Sequence, residues 1–195
     1  MRFAAGVLCA VLLPARGPAV DYAALFAKGT PYQDFLDAAR ARREEWLERS
    51  KAASVDAEAV ARVRQLSRRR RLLVVAEDWC GDSSNTLPYL NRLAESAPEV
   101  LDLRIVDSSA GRPVMEAHKT PDGRAATPTV IVLDEAGAFV GAWVERPSAL
   151  QKWYIEQQDV LSNADLLDRK YQWYREDRGK SAIREVVDLL TSHVK

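Results

Sequence analysis

Leu72-Leu73-Val74-Val75-Ala76, followed at once by Glu77-Asp78-Trp79-Cys80-Gly81-Asp82-Ser83, is the stretch on which the reading of this chain turns. Five apolar residues in a row predict a short buried strand. The residues after Cys80 run on as a helix to about position 96, with Pro88 inside it, so the sulfur falls at a helix N-terminus. Unpaired backbone N–H groups and the positive end of the helix dipole favour thiolate over thiol there. Three residues on, where a dithiol site would carry its second cysteine, stands Ser83.

The only other cysteine is Cys9. Two cysteines exclude a disulfide framework and a four-cysteine zinc site. His118 and His193 are the only histidines and share no ligand spacing, so no metal site is expected. Cys9 lies within residues 3–13, which carry no charge, and Pro14-Ala15-Arg16-Gly17-Pro18-Ala19 follows with small residues that a peptidase accepts. Residues 1–19 therefore read as a signal peptide, against a misassigned start, an uncleaved anchor or a plain leader. The signal reading implies export, periplasmic or secreted; without it the chain is cytoplasmic. Cleavage would remove Cys9 and leave one sulfhydryl.

With 195 residues, 47% hydrophobic and 29% charged, the chain is expected to form one domain around a substantial core. Its 28 basic residues match 28 acidic ones, so no global charge draws it to nucleic acid. No run of about 20 apolar residues follows the N-terminus, which excludes a polytopic membrane protein. Arg68-Arg69-Arg70-Arg71 reads as the solvated end of a helix, with an anionic lipid or nucleic-acid contact as the alternative.

Periodicity and turn residues predict a short helical or irregular entry over 21–27, a helix over 32–50, and another, capped by Ser54 or Asp56, running to about Arg69. A strand over 72–77, the helix after Cys80, a strand over 100–107 and a helix over 111–118 follow. Strands over 127–133 and 139–144 flank the hairpin residues Asp134-Glu135-Ala136-Gly137. Helices over 147–158, 163–177 and 181–193 complete the chain. The order implies an α/β fold, a mixed four-stranded sheet flanked by helices. The divisions are a helical extension over 20–70, a core over 71–158 and a second helical extension over 159–195.

A strand, Trp79-Cys80-Gly81, a helix, and later Thr127-Pro128-Thr129 entering a strand together resemble the thioredoxin superfamily. More narrowly the chain resembles a bacterial thioredoxin-like family with a Glu-Asp-Trp-Cys-Gly-Asp segment and helical extensions at both ends. Asp21-Tyr22 onward, and the stretch from Glu145-Arg146-Pro147 through Tyr174-Arg175-Glu176-Asp177-Arg178-Gly179, also fit it. The resemblance implies a cis Thr127–Pro128 bond beside a nucleophilic Cys80, with Thr127 holding a substrate strand. It implies supporting roles for Trp79, Gly81, Asp82 and Ser83.

Three departures shape the function expected. Ser83 cannot resolve a mixed disulfide on Cys80. Asp82 replaces the proline typical of thioredoxins, and a carboxylate there opposes thiolate by like-charge repulsion. Val74 replaces the buried acid that shuttles protons, leaving Glu77 or Asp78 as substitutes. The reading is monothiol thiol–disulfide exchange or deglutathionylation, without a bound cofactor, completed by an external thiol such as glutathione. Partners are disulfide-containing or thiolated proteins or small thiols, with neither nucleic acid nor stable membrane association; the oligomeric state is left open.

The alternative is a catalytically weak or inactive module that binds peptides or thiols in a Cys80/Pro128 groove. A cluster-binding monothiol protein is a weaker third reading. Each site residue also has a plain structural role open to it. Cys80 is an exposed nucleophile or a buried inert thiol. Trp79 is a substrate lip or a packing residue, Ser83 a partner of the sulfur or a helix cap, Asp82 a helix-end charge. Trp153, Tyr154, Tyr171, Trp173 and Tyr174 read as packing between helices, and His118 as a helix-end residue.

Overall fold

A central strand covered on both faces needs apolar residues at every position rather than alternation, and Leu72 to Val75 supply them. In the computed structural model, which describes residues 20–192, this segment is the middle of β1 (Arg70–Val75). The sheet order is β2-β1-β3-β4, with β2 at Leu101–Val106, β3 at Thr129–Leu133 and β4 at Phe139–Val144. β1 is parallel to β2 and antiparallel to β3, and β3 is antiparallel to β4. The expected mixed four-stranded α/β sheet is what forms. The leader reading, Cys9 and His193 lie outside the described residues.

Successive side chains of β1 divide two cores. Leu72 and Val74 join the larger one with Leu87, Leu90 and Leu93 of α5 (Gly81–Ser96). Leu73 and Val75 join the smaller one with Phe26, Val114 and Met115. Phe26 comes from α1 (Tyr22–Lys28), the other two from α6 (Arg112–Ala117). Both extensions enter the larger core. Tyr32 and Leu36 of α2 (Tyr32–Ala38), Trp46 of α3 (Arg43–Ala52) and Val63 of α4 (Ala57–Arg64) are buried there. So are Ile183, Val186, Val187 and Leu190 of α9 (Lys180–Thr191), which gives that helix its apolar stripe. Between β4 and α9 run α7 (Ser148–Gln157) and α8 (Asn163–Asp177).

The expected long helix over 32–50 is two helices, α2 and α3. Nothing in Ala38-Ala39-Arg40-Ala41-Arg42 breaks a helix by propensity. Instead the Asp78 carboxylate draws the backbone N–H groups of Arg40 (2.8 Å) and Ala41 (2.9 Å) out of the helical ladder. The Arg43 guanidinium meets the carbonyls of Leu36, Asp37 and Ala39. Arg68–Arg71 does not end a helix: α4 stops at Arg64, and Arg70 and Arg71 open β1. Arg64 and Arg69 still meet helix-end carbonyls, those of Ser96 and Pro98 behind α5. In the β3–β4 hairpin Gly137 takes φ of +87°, a conformation glycine accepts without Cβ strain. Among the described residues no helix is long and apolar enough to cross a membrane.

Candidate functional site

Cys80 is the N-cap residue of α5, with φ of −78° and ψ of 116°. Its Sγ accepts the backbone N–H of Ser83 at 3.4 Å, the contact that a Ser or Asp oxygen makes in an ordinary cap. On its other side the thiol donates to the Thr127 carbonyl at 3.3 Å. The Thr127–Pro128 bond is cis. The helix N-terminus and the loop before β3 therefore meet at the sulfur, as the resemblance implies.

The expected exposure of Cys80 is not found: the residue is 8% exposed. Part of the cover comes from the C-terminal extension. A Cβ on Gly81 would collide with the phenol end of Tyr171 on α8, so glycine leaves room for that side chain. Trp79 is 59% exposed. Ser83 is fully buried, and its backbone, not its hydroxyl, serves the sulfur; its Oγ has no hydrogen-bond partner.

Asp82 stands in the first turn of α5, as a helix-end charge would, but it is buried and paired. It is 6% exposed and meets three donors. Tyr174 donates to Oδ1 at 2.9 Å, and Arg146 Nη2 reaches Oδ2 at 3.1 Å. Lys170 Nζ lies 3.2 Å from Oδ1 and 3.3 Å from Oδ2. Arg146 also holds Glu145 at 2.9 and 3.1 Å and lies 3.9 Å over the Tyr154 ring. Arg124 grips Glu145 from outside at 2.9 and 3.1 Å. Glu145 has a left-handed φ of 65°, and its N–H bonds the Pro128 carbonyl at 2.7 Å. A bulky residue takes that conformation only where its surroundings enforce it.

Asp82, Glu145, Arg146 and Lys170 are all under a tenth exposed, two anions against two cations. Buried charges persist only when paired in this way. Burial alone would lower the Arg146 pKa, but Asp82 and Glu145 outweigh it and raise the value above its ordinary range. Burial, with Asp82 adding to it, holds Tyr174 well above its usual range, so it stays a donor.

The proposed substitutes for the shuttle acid are committed elsewhere. Glu77 Oε1 accepts the Ser108 N–H at 2.8 Å, and Asp78 makes the contacts to Arg40 and Ala41 given above. The Trp46 indole N–H donates to the Asp78 carbonyl at 2.7 Å, and Arg42 Nε to the Trp79 carbonyl at 2.9 Å. Val74 is fully buried among apolar residues. The buried carboxylates of this site are Asp82 and Glu145, and Asp82 is the one on α5 beside Cys80. Among the described residues no group of three or more His, Cys, Asp or Glu is placed to hold a metal ion.

The structure thus joins Cys80, Gly81, Ser83, Thr127 and Pro128 and adds residues to which the sequence assigned no role. Glu145 and Arg146 were marked only by the resemblance that Glu145-Arg146-Pro147 carries, and Lys170 only by its place in a charged segment. Lys170 stands four residues before Tyr174, so the two share one face of α8.

A family model described as thioredoxin matches residues 29–162. A crystal structure of a protein of unknown function from Pseudomonas aeruginosa is similar at a TM-score of 0.69 and 23% identity. The match covers 89% of this chain and 99% of that one. An HIV epitope scaffold is similar at a TM-score of 0.69 and 23% identity, covering 90% of this chain and 100% of the scaffold. No curated protein matches the sequence.

Proposed function

The chain belongs to the thioredoxin family, and on that premise we propose that it is a monothiol thiol–disulfide exchanger acting through Cys80. One observation carries the reading: the sulfur lies between the Ser83 N–H at the start of α5 and the carbonyl of Thr127, beside the cis-proline. A partial positive charge faces the sulfur from the helix, and the backbone that leads into β3 lies beside it, where a substrate strand would align.

The cycle needs one sulfur per step. The Cys80 thiolate attacks the glutathione sulfur of a protein–glutathione mixed disulfide. A new S–S bond forms, the old one breaks, and the protein thiolate leaves and takes a proton. A second glutathione, as thiolate, attacks the Cys80–glutathione disulfide. That step releases Cys80 as thiolate and yields oxidised glutathione, so the net reaction exchanges the protein–glutathione disulfide for glutathione disulfide and consumes one external glutathione thiol. Trp79 is the exposed aromatic that would close over the substrate.

Replacing Cys80 by Ser tests this. A glutathione-mixed-disulfide assay should show turnover for the native protein and complete loss for Cys80→Ser at unchanged thermal stability. Turnover retained by the variant would sink the proposal. A second reading, a module that binds peptides or thiols in the Cys80/Pro128 groove without turnover, is favoured by the burial of the sulfur. It predicts stoichiometric capture and no turnover.

A further inference from the structure

We infer that Lys170, on α8 of the C-terminal extension, is a positioning residue for Cys80: it cancels the charge of Asp82, so that a carboxylate two residues from the sulfur does not suppress thiolate formation. The inference rests on the reading of Cys80 as a thiol nucleophile.

Asp82 sits in the first turn of α5, where the helix dipole favours an anion. The same charge opposes a second anion on Cys80. The sulfur gains from the helix N-terminus only if something offsets the carboxylate. Three buried donors surround Asp82, and two of them are already committed or neutral. Tyr174 is a hydroxyl and brings no net charge. Arg146 divides its guanidinium between Asp82 and Glu145.

Taken over the whole network, Arg124, Arg146 and Lys170 balance Asp122, Glu145 and Asp82. The Lys170 ammonium touches both oxygens of Asp82, and it faces the Tyr171 ring at 4.7 Å and the Tyr154 ring at 6.0 Å, both uncharged. Without Lys170 the network holds one uncompensated anion, and that anion is at the active site.

Other charged groups around the sulfur are fixed by bonds that do not involve Lys170. On the preceding loop Glu77 is held by the Ser108 N–H, and Asp78 by those of Arg40 and Ala41. From the N-terminal extension Arg42 bonds the Trp79 carbonyl and pairs with Glu45, and Arg49 reaches Ser84. Arg124 and Glu145 lie on the side of Pro128, and Tyr171 and Tyr174 complete the face that α8 presents.

The test follows iodoacetamide labelling of Cys80 against pH in the full chain, with peptide mass spectrometry counting the label on Cys80 alone. Lys170→Met, of similar length but uncharged, should move the profile about one unit to higher pH, which is about tenfold slower labelling below the midpoint. Asp82→Asn should move it a similar distance to lower pH. The double variant should return close to the native profile, because the two charges leave together.

Shifts of the two single variants in the same direction, or no shift in either, would overturn the inference, since a merely structural Lys170 would lower the melting temperature of both without opposite signs. Should Lys170→Met not fold, Asp82→Asn decides alone: a move to lower pH supports the inference, and any other result ends it. Labelling requires no turnover. Opposed shifts in a protein that never turns over a mixed disulfide would leave this inference standing and the exchange proposal fallen; turnover with unshifted profiles would do the reverse.

Discussion

The two extensions grip the same active-site loop by different physics. The N-terminal one holds it through neutral or backbone contacts. The Trp46 indole meets the Asp78 carbonyl, Arg42 meets the Trp79 carbonyl, and the Asp78 carboxylate is satisfied by two backbone N–H groups. The C-terminal one reaches in with a buried ammonium and a buried phenol to a carboxylate two residues from the sulfur. The first arrangement fixes where the loop sits. On the proposal that Cys80 is a nucleophile, the second also sets the charge beside the sulfur, which would make α8, outside the thioredoxin-like core, part of the chemistry.

Trp46→Ala tests the first half of that comparison and should have the largest effect. Trp46 is fully buried, with Phe35 edge-on at 5.3 Å. Its removal leaves a cavity and an unpaired Asp78 carbonyl, which costs about 3–5 kcal/mol in chemical denaturation. The variant that remains folded should label Cys80 along the native pH profile, because no charge near the sulfur has changed. A displaced profile would break the distinction drawn between the two extensions.

Tyr174→Phe sharpens the second half. It removes one donor to the Asp82 carboxylate and no net charge. The loss should be about 1.5–3 kcal/mol in the same denaturation experiment. The labelling profile should move far less than in Lys170→Met. If it moves as far, hydrogen bonding and not charge balance sets the reactivity of Cys80.

How far this site could be read in advance follows from the range of each interaction. The strand, the cap position of Cys80 and the start of α5 are local, and twelve consecutive residues contain them. The cis-proline loop was legible only through the resemblance that Thr127-Pro128 carries. The pairing of Asp82 with its partners was not legible: Arg146, Lys170 and Tyr174 are 64, 88 and 92 residues away, and neither the resemblance at Glu145-Arg146-Pro147 nor the helical pattern around Lys170 and Tyr174 says what they meet. The break between α2 and α3 was hidden for the same reason. Asp78, 38 residues on, imposes it on a stretch of good helix formers.

The smallest effect lies at the far anchor of the N-terminal extension. There the Tyr22 hydroxyl meets His118 Nε2 at 2.7 Å, and the His118 ring stacks on Phe139 at 5.0 Å. Partial burial lowers the His118 pKa below the ordinary value of 6.5, so the folded chain keeps a neutral ring that the unfolded chain would protonate first. Between the two values the unfolded state binds more protons, and stability rises with pH across that window. The contribution is therefore complete above about pH 6.5 and is lost as pH falls toward the folded value. The ring is half-buried, and solvent screening keeps the change below about 0.5 kcal/mol. Denaturation of the native protein and His118→Asn at pH 7.5 and 5.5 isolates it: the native protein should lose slightly more stability on acidification than the variant. An equal loss in both would show that the Tyr22 anchor, unlike the Asp82 network, carries no dependence on protonation.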